Sequence, residues 1–392
     1  MSDVIISSAV RTPIGSFRGA FAGLSASDLG ALVVKDAVAR AGCQPADVEH
    51  VFMGCVLPAA QGQAPARQAV IKAGLPTSVS AITVNKVCGS GLQAVMFARR
   101  ELALGEAGIV VAGGMESMTN APYALARARD GYRMGPGELI DTMIHDGLWD
   151  PYRNVHMGTC GDLVASHYGF TREDQDAFAA ESYQRALTAQ ATGKFTSEIL
   201  PVAVPQRRGD PKIVDQDEEP GRGDTSRFGA LRPAFTKDGT VTAANASPLN
   251  DGAAALLLAS PAKADALGLP KLARVVGDAT AAHEPEWFTT APVKALAKLY
   301  EKTGRGPRDW DLYEINEAFA GVTMAAIKEH GLDPATVNVH GGAIALGHPI
   351  GCSGARLLVT LLHALRERGK QRGIATLCLG GGEAVALAVE LL

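Results

Sequence analysis

The chain repeats its own pattern, and any fold it adopts has to accommodate that. AGCQPADVEHVFMGCVLPAA (41–60) has a counterpart in TGRGPRDWDLYEINEAFAGV (303–322): a turn, acidic residues, a short apolar strand, then small residues. Further along, CGSGLQAVMFARRELALGEAGIVVAGG (88–114) is echoed by CSGARLLVTLLHALRERGKQRGIATLCLGGG (352–382). Both read as a small-residue turn, an amphipathic helix, a polar turn and an apolar strand ending in glycines. Strands alternating with helices imply an α/β fold with parallel sheets covered on both faces. The pattern divides the chain into a first half (1–119 plus 250–270), an insertion (120–249) and a second half (271–392).

The insertion loses the strand–helix rhythm and carries most of the charged and Pro-rich stretches. One helix is expected there, TREDQDAFAAESYQRALTAQ (171–190), opened by a T-x-x-D capping signal. The stretch 204–229 reads as surface loop. Its two RGD triplets are explained as charged turns. An insertion of this size caps a site or builds an interface.

Composition narrows the function. A net charge of −4 gives no case for nucleic acid or an anionic membrane as partner. No apolar run approaches the roughly 20 residues of a membrane span, and MSDVIISSAVRTPIG lacks a basic leader, so a cytoplasmic protein is expected. The 44 glycines exceed the usual level of about 7% and imply close backbone packing. The six cysteines are scattered, with neither CxxC nor zinc spacing, which argues against a disulfide framework or a metal site.

Four stretches carry chemistry. Cys88 precedes Gly-Ser-Gly and a helix, where unpaired N–H groups and the positive dipole end are expected to stabilise a thiolate. NVHGGAIALGHPIGCSGAR (338–356) places His348 in a glycine-rich loop as a candidate base, with His340 as a competitor that spacing does not eliminate. Cys378 ends an apolar strand before three glycines. In LYEINEAFA (312–320), Asn316 and Glu317 stand at a strand end, where α/β proteins place functional groups; Glu317 reads equally as a structural carboxylate.

Together NKVCGSGLQAV, NEAFA, GGAIALGHPIGCSGAR and CLGGG resemble the thiolase family, with GGMESM, HMGT, RPAF and NASPLNDGAA adding to the match across essentially the whole chain. The resemblance implies a five-layered α/β/α/β/α core of two similar βαβ-type halves with an inserted loop domain. By it, Cys88 is the nucleophile that becomes acylated and His348 the base that activates it. Cys378 is the acid/base thiol acting on the second acyl-CoA. Asn316 holds a water that forms one oxyanion hole with His348, and the backbone N–H groups of Cys88 and Gly380 form the other. The reaction implied is reversible condensation of two acetyl-CoA to acetoacetyl-CoA and CoA through an acetyl-cysteine, with no metal and no cofactor beyond the CoA thioester substrates.

Ser247 matches a pantetheine contact, and His156, Phe235 and Phe319 fall near the acyl end. Arg222 falls on the nucleotide side. Met157, Leu148 and Phe235 resemble the short-chain branch, whose bulky side chains close the acyl pocket. Phe288 departs from that branch's usual Met, leaving a broader-chain 3-ketoacyl-CoA thiolase as the alternative. The stretch 123–142 falls where short-chain members build a tetramer contact, so a homotetramer is expected. Ketoacyl synthases share the fold but lack the second cysteine. A non-catalytic lipid carrier would not need Cys88, His348 and Cys378 in motif context.

Overall fold

The computed structural model describes residues 3–392. Nine strands form its main sheet path: β1 (Ile5–Arg11), β2 (His50–Gly54), β3 (Ser80–Val84), β4 (Ile109–Ser117), β5 (Asn250–Ala259), β6 (Ala273–Ala282), β7 (Leu312–Ile315), β8 (Arg372–Leu379) and β9 (Glu383–Leu391). Their order is β7-β8-β9-β6-β1-β5-β4-β2-β3. Each half therefore contributes one side of the path, and the two sides meet where β1 pairs with β6, at Ile5–Arg274 and Ile6–Ala273.

The sheet is mixed rather than parallel. Only β2–β3, β2–β4 and β7–β8 run parallel. Parallel neighbours need a long crossover, whereas a tight turn forces an antiparallel pair. The glycines after Cys378 make such a turn: Leu379 pairs with Glu383 across Gly380–Gly382, and Gly381 and Gly382 adopt φ of +88° and +83°. A side chain would be strained at both.

Seven longer helices matter here: α1 (Ala26–Arg40), α2 (Ser90–Leu104), α3 (Met157–Tyr168), α4 (Arg172–Ala191), α5 (Ala291–Thr303), α6 (Ala320–His330) and α7 (Ile350–Glu367). Strand residues alternate between two apolar faces. On β5, Leu256 and Leu258 pack toward α2 and α7, while Ala255 and Leu257 pack toward α1. On β9, Val385, Leu387 and Val389 join the same central core, and Ala384, Ala386 and Ala388 face α5. The result is five layers, with α2 and α7 buried between the two half-sheets. Burying both faces is why these strands read as continuous apolar runs, each large aliphatic contributing about 1.5–3 kcal/mol.

The central helices touch backbone to backbone. A Cβ on Gly91 would stand 2.8 Å from the Ala355 nitrogen, and one on Gly354 would stand 2.4 Å from the Leu92 nitrogen. These reciprocal contacts align Gly91 with Gly354, and so Cys88 with Gly351. The sequence alignment of Cys88 with Cys352 is one residue out.

The insertion holds more structure than its sequence suggests. Helix α4 carries the capping box, Thr171 with Asp174, and a second helix, α3, precedes it. The 204–229 stretch is not all surface loop: Lys212–Val214 pairs with Val202–Val204, and Asp217 is buried. Asp217 receives both terminal nitrogens of Arg11 at 2.7 and 3.0 Å, while Arg11 Nε donates to Glu198 at 2.6 Å. This ties the insertion to β1.

Candidate active site

The turn before α2 aims Cys88. Ser90 Oγ accepts from Lys86 N at 2.8 Å and donates to Val87 O at 2.6 Å, while Asn85 Oδ1 accepts from Val87 N at 3.1 Å. Val87 between them has φ +46°. A β-branched residue is strained there and persists only where its surroundings hold it.

Cys88 is buried, and burial pushes its thiol up to about 12. The backbone N–H groups of Cys88 and Gly380 pull the other way, and Glu116 adds to the rise. The helix N-terminus does not yield a resting thiolate here, because loss of hydration outweighs it.

His348 is equally buried, and burial followed by the nearby Arg356 charge holds it down to about 3. Its ring is neutral near pH 7. Ser353 Oγ donates to Pro349 O at 2.9 Å, so it accepts from His348 Nδ1–H at 2.6 Å. That bond leaves Nε2 as the bare, basic nitrogen. Asn316 Nδ2 stands 3.4 Å from Nε2, and Asn316 Oδ1 has no hydrogen-bond partner among the described residues. Asn250 Oδ1 accepts from His348 N at 2.9 Å. Ser353 and Asn250 are partners of His348 that sequence reading missed; Ser353, five residues after His348 in the same motif, was the more discoverable.

His340 is elsewhere, bonded to Glu367 at 3.1 Å and edge-on to Phe195. Glu317 is a structural carboxylate. It accepts from Ser182, Asn338 and Ile344 and ties α4 to the turn leading to His348.

Cys378 is the penultimate residue of β8, fully buried beside Met157, Cys160, Phe288 and Phe319. Burial raises its thiol well above the usual range, and proximity to Cys88 raises it further. Gly380 lies against Val87 and Met157.

A cavity of about 380 Å³ opens at this site, and its lining includes none of Asn316, Cys378 and Gly380. Cys88 and His348 line it, as do Leu148, His156, Met157, Phe235, Ser247, Phe288 and Phe319. His156 caps α3, its Nδ1 accepting from Gly158 N at 3.1 Å, and stacks on Phe235 at 4.6 Å. Phe319 meets Phe235 edge-on. Ser247 is fixed by its N–H and hydroxyl, which both donate to Ala318 O. Leu148 comes from a π-type turn, Met143–Leu148, whose Met143 and Ile144 also reach the cavity. Arg222 is not brought to it: it ends the short turn Pro220–Arg222 on the exposed surface.

A buried thiol at a helix start and a neutral histidine with one nitrogen unprotonated, opening on one apolar cavity, are the parts of an acyl-transfer site. Comparisons with known proteins agree. Residues 4–262 match the thiolase N-terminal domain and 269–391 the thiolase C-terminal domain. An acetyl-CoA acetyltransferase of Cupriavidus necator is 54% identical over 391 residues, spanning all of both chains. One of Allochromatium vinosum is 52% identical over 389 residues, 99% of each. The crystal structure of the Bacillus anthracis acetyl-CoA acetyltransferase superposes with a TM-score of 0.98 at 42% identity, covering 100% of this chain and 99% of that one. The Acat5 thiolase of Ascaris suum, solved in complex with coenzyme A, gives 0.95 at 44% with full coverage of both. On its residues, its architecture and these relatives, the chain belongs to the thiolase family.

Proposed function

We infer that this chain is an acetyl-CoA C-acetyltransferase, condensing two acetyl-CoA to acetoacetyl-CoA and CoA and running the reverse thiolysis. The observation that carries the reading is the shared apolar cavity of Cys88 and His348, with Ser353 holding the imidazole so that Nε2 is bare.

In the first step Cys88 Sγ attacks the thioester carbonyl and its proton passes to His348 Nε2. The oxyanion sits between the N–H groups of Cys88 and Gly380, which need no reorganisation to meet it. CoA departs with a proton from Cys378, leaving acetyl-Cys88, imidazolium and the Cys378 thiolate. That thiolate then removes the α-proton of the second acetyl-CoA. The resulting enolate is held by His348 and by a water oriented on Asn316. Carbon–carbon bond formation expels the Cys88 thiolate, which recovers the proton from His348. Every proton returns to its owner and the acyl carrier is the enzyme's own cysteine, so the cycle balances without a metal or redox cofactor.

The thioester and pantetheine arm run past Ser247 and His156. Met157, Phe235, Phe288 and Phe319 close the acyl end, which supports short chains. Purified protein given CoA should cleave acetoacetyl-CoA with kcat/KM at least about tenfold above that for 3-ketooctanoyl-CoA. Comparable use of the longer substrate would make this a broad-chain thiolase. Activity on neither would overturn the enzymatic reading.

Assembly as a homotetramer is supported by the hairpin of Tyr123–Leu125 with Leu139–Asp141, which leaves Tyr123 65%, Met134 97% and Leu139 64% exposed. Light scattering of the purified chain tests it. Six unpaired cysteines suit a reducing, cytoplasmic setting.

A further inference from the structure

We propose that Lys86 and Glu383 are a positioning pair that fixes the Gly380 N–H against Cys88. The proposal rests on the acyl-transfer reading above.

The two backbone segments that meet at Cys88, its own turn and the one holding Gly380, come from different halves of the chain. Cys88 N–H belongs to the turn before α2, and Gly380 N–H to the β8–β9 hairpin, which is otherwise anchored through the second half's own strands. Their separation is therefore set by contacts between the turn and the hairpin. Two of those contacts are apolar. A Cβ on Gly89 would lie 2.5 Å from Leu379 Cδ2, and one on Gly380 would lie 3.5 Å from Val87 Cγ1. Such contacts limit approach but leave sliding along the seam free.

The polar contact is directional. Lys86 Nζ pairs with Glu383 Oε2, joining the residue two before the nucleophile to the first residue after the three glycines. It acts where the backbone is least relaxed. Lys86 directly precedes Val87, whose left-handed φ of +46° needs external support. Ser90 holds the turn from the helix side through Lys86 N and Val87 O. The Lys86 ammonium holds the same turn from the hairpin side. Glu383 in turn is registered on Leu379 and Ala282, so the pair draws on two strands of the second half.

The pair lies outside the substrate cavity and touches no reacting atom. Its loss should lower kcat and leave KM for CoA nearly unchanged. A charge-reversal cycle tests this. K86E and E383K, each placing like charges together, should each lower thiolysis kcat and the rate of Cys88 acetylation about tenfold, since misplacement of about 1 Å costs up to about 10²-fold. KM for CoA should stay within about twofold. The double variant K86E/E383K should recover to within about threefold of the parent, a coupling that a merely structural role at either position would not give.

If a single variant fails to fold, E383Q replaces it. Its kcat should fall while that of the parent, unlike that of E383Q, declines as salt is raised. A double variant whose loss equals the product of the singles, or singles and E383Q all within twofold of the parent, would overturn the proposal. Acetylation and thiolysis by the unmodified chain are measured alongside. Their absence would strike the functional reading itself rather than the pair.

Discussion

Burial holds the Cys88 thiol up to about 12 and the His348 imidazolium down to about 3, so neither group is charged near neutral pH until substrate draws the proton across. The sign of the shift is measurable. An ordinary cysteine approaches full ionisation above about pH 8.5. Alkylation of Cys88 by iodoacetamide should instead keep climbing, about tenfold per pH unit, through pH 10. A plateau near pH 9 would show an ordinary thiol, and one below about pH 7.5 a thiolate-stabilising site. Ser353→Ala deprives His348 Nδ1 of its acceptor, and kcat should fall roughly 10- to 100-fold with the thermal transition shifted by only a few degrees. Cys378→Ala should still form the acetyl-enzyme, seen by intact mass, yet fail at condensation, whereas Cys88→Ala should form none. Cys88, His348 and Cys378 were visible as candidates because each stands in a glycine-rich motif. Ser353 and Asn250 were not, since their roles exist only as hydrogen bonds to His348, and Asn250 reaches it across 98 positions.

At the level of elements, the abundance of glycine was plain in the sequence but its purpose was not. Gly91 and Gly354 are required because α2 and α7 meet backbone to backbone. Gly354→Ala would drive a methyl to 2.4 Å from the Leu92 nitrogen. It should destabilise by about 3 kcal/mol, read as a lower urea midpoint at unchanged slope. Gly268→Ala, where φ is +62° but nothing lies within 4 Å, should cost less, about 1 kcal/mol. The capping box of α4 was readable from Thr171 and Asp174. Helix α3 was not: Gly158, Thr159, Cys160 and Gly161 are weak helix formers, and its N-cap is supplied by His156, an unusual choice. What stabilises it is burial against Phe319 and Val241, a tertiary fact.

For the whole molecule, the repeat revealed two halves, but not that their sheets would be mixed or how the insertion would be fastened. Asp217 looked like part of a charged loop because its partner Arg11 lies 206 positions away. Arg11→Met would leave Asp217 and Glu198 buried without their cation, a loss of about 3–5 kcal/mol. Chemical denaturation should show it, with limited proteolysis near residue 209 accelerating first. The pseudo-twofold relation between the halves carries one more implication. It maps Cys88 onto Gly351, and at that second position the Glu116 carboxylate accepts the Gly351 N–H at 2.9 Å along with those of Val56 and Leu57. Where one helix start opens onto substrate, its twin is corked by an acidic side chain from the neighbouring strand. The two halves thus offer two berths for chemistry, and this protein keeps one open and uses the other as masonry.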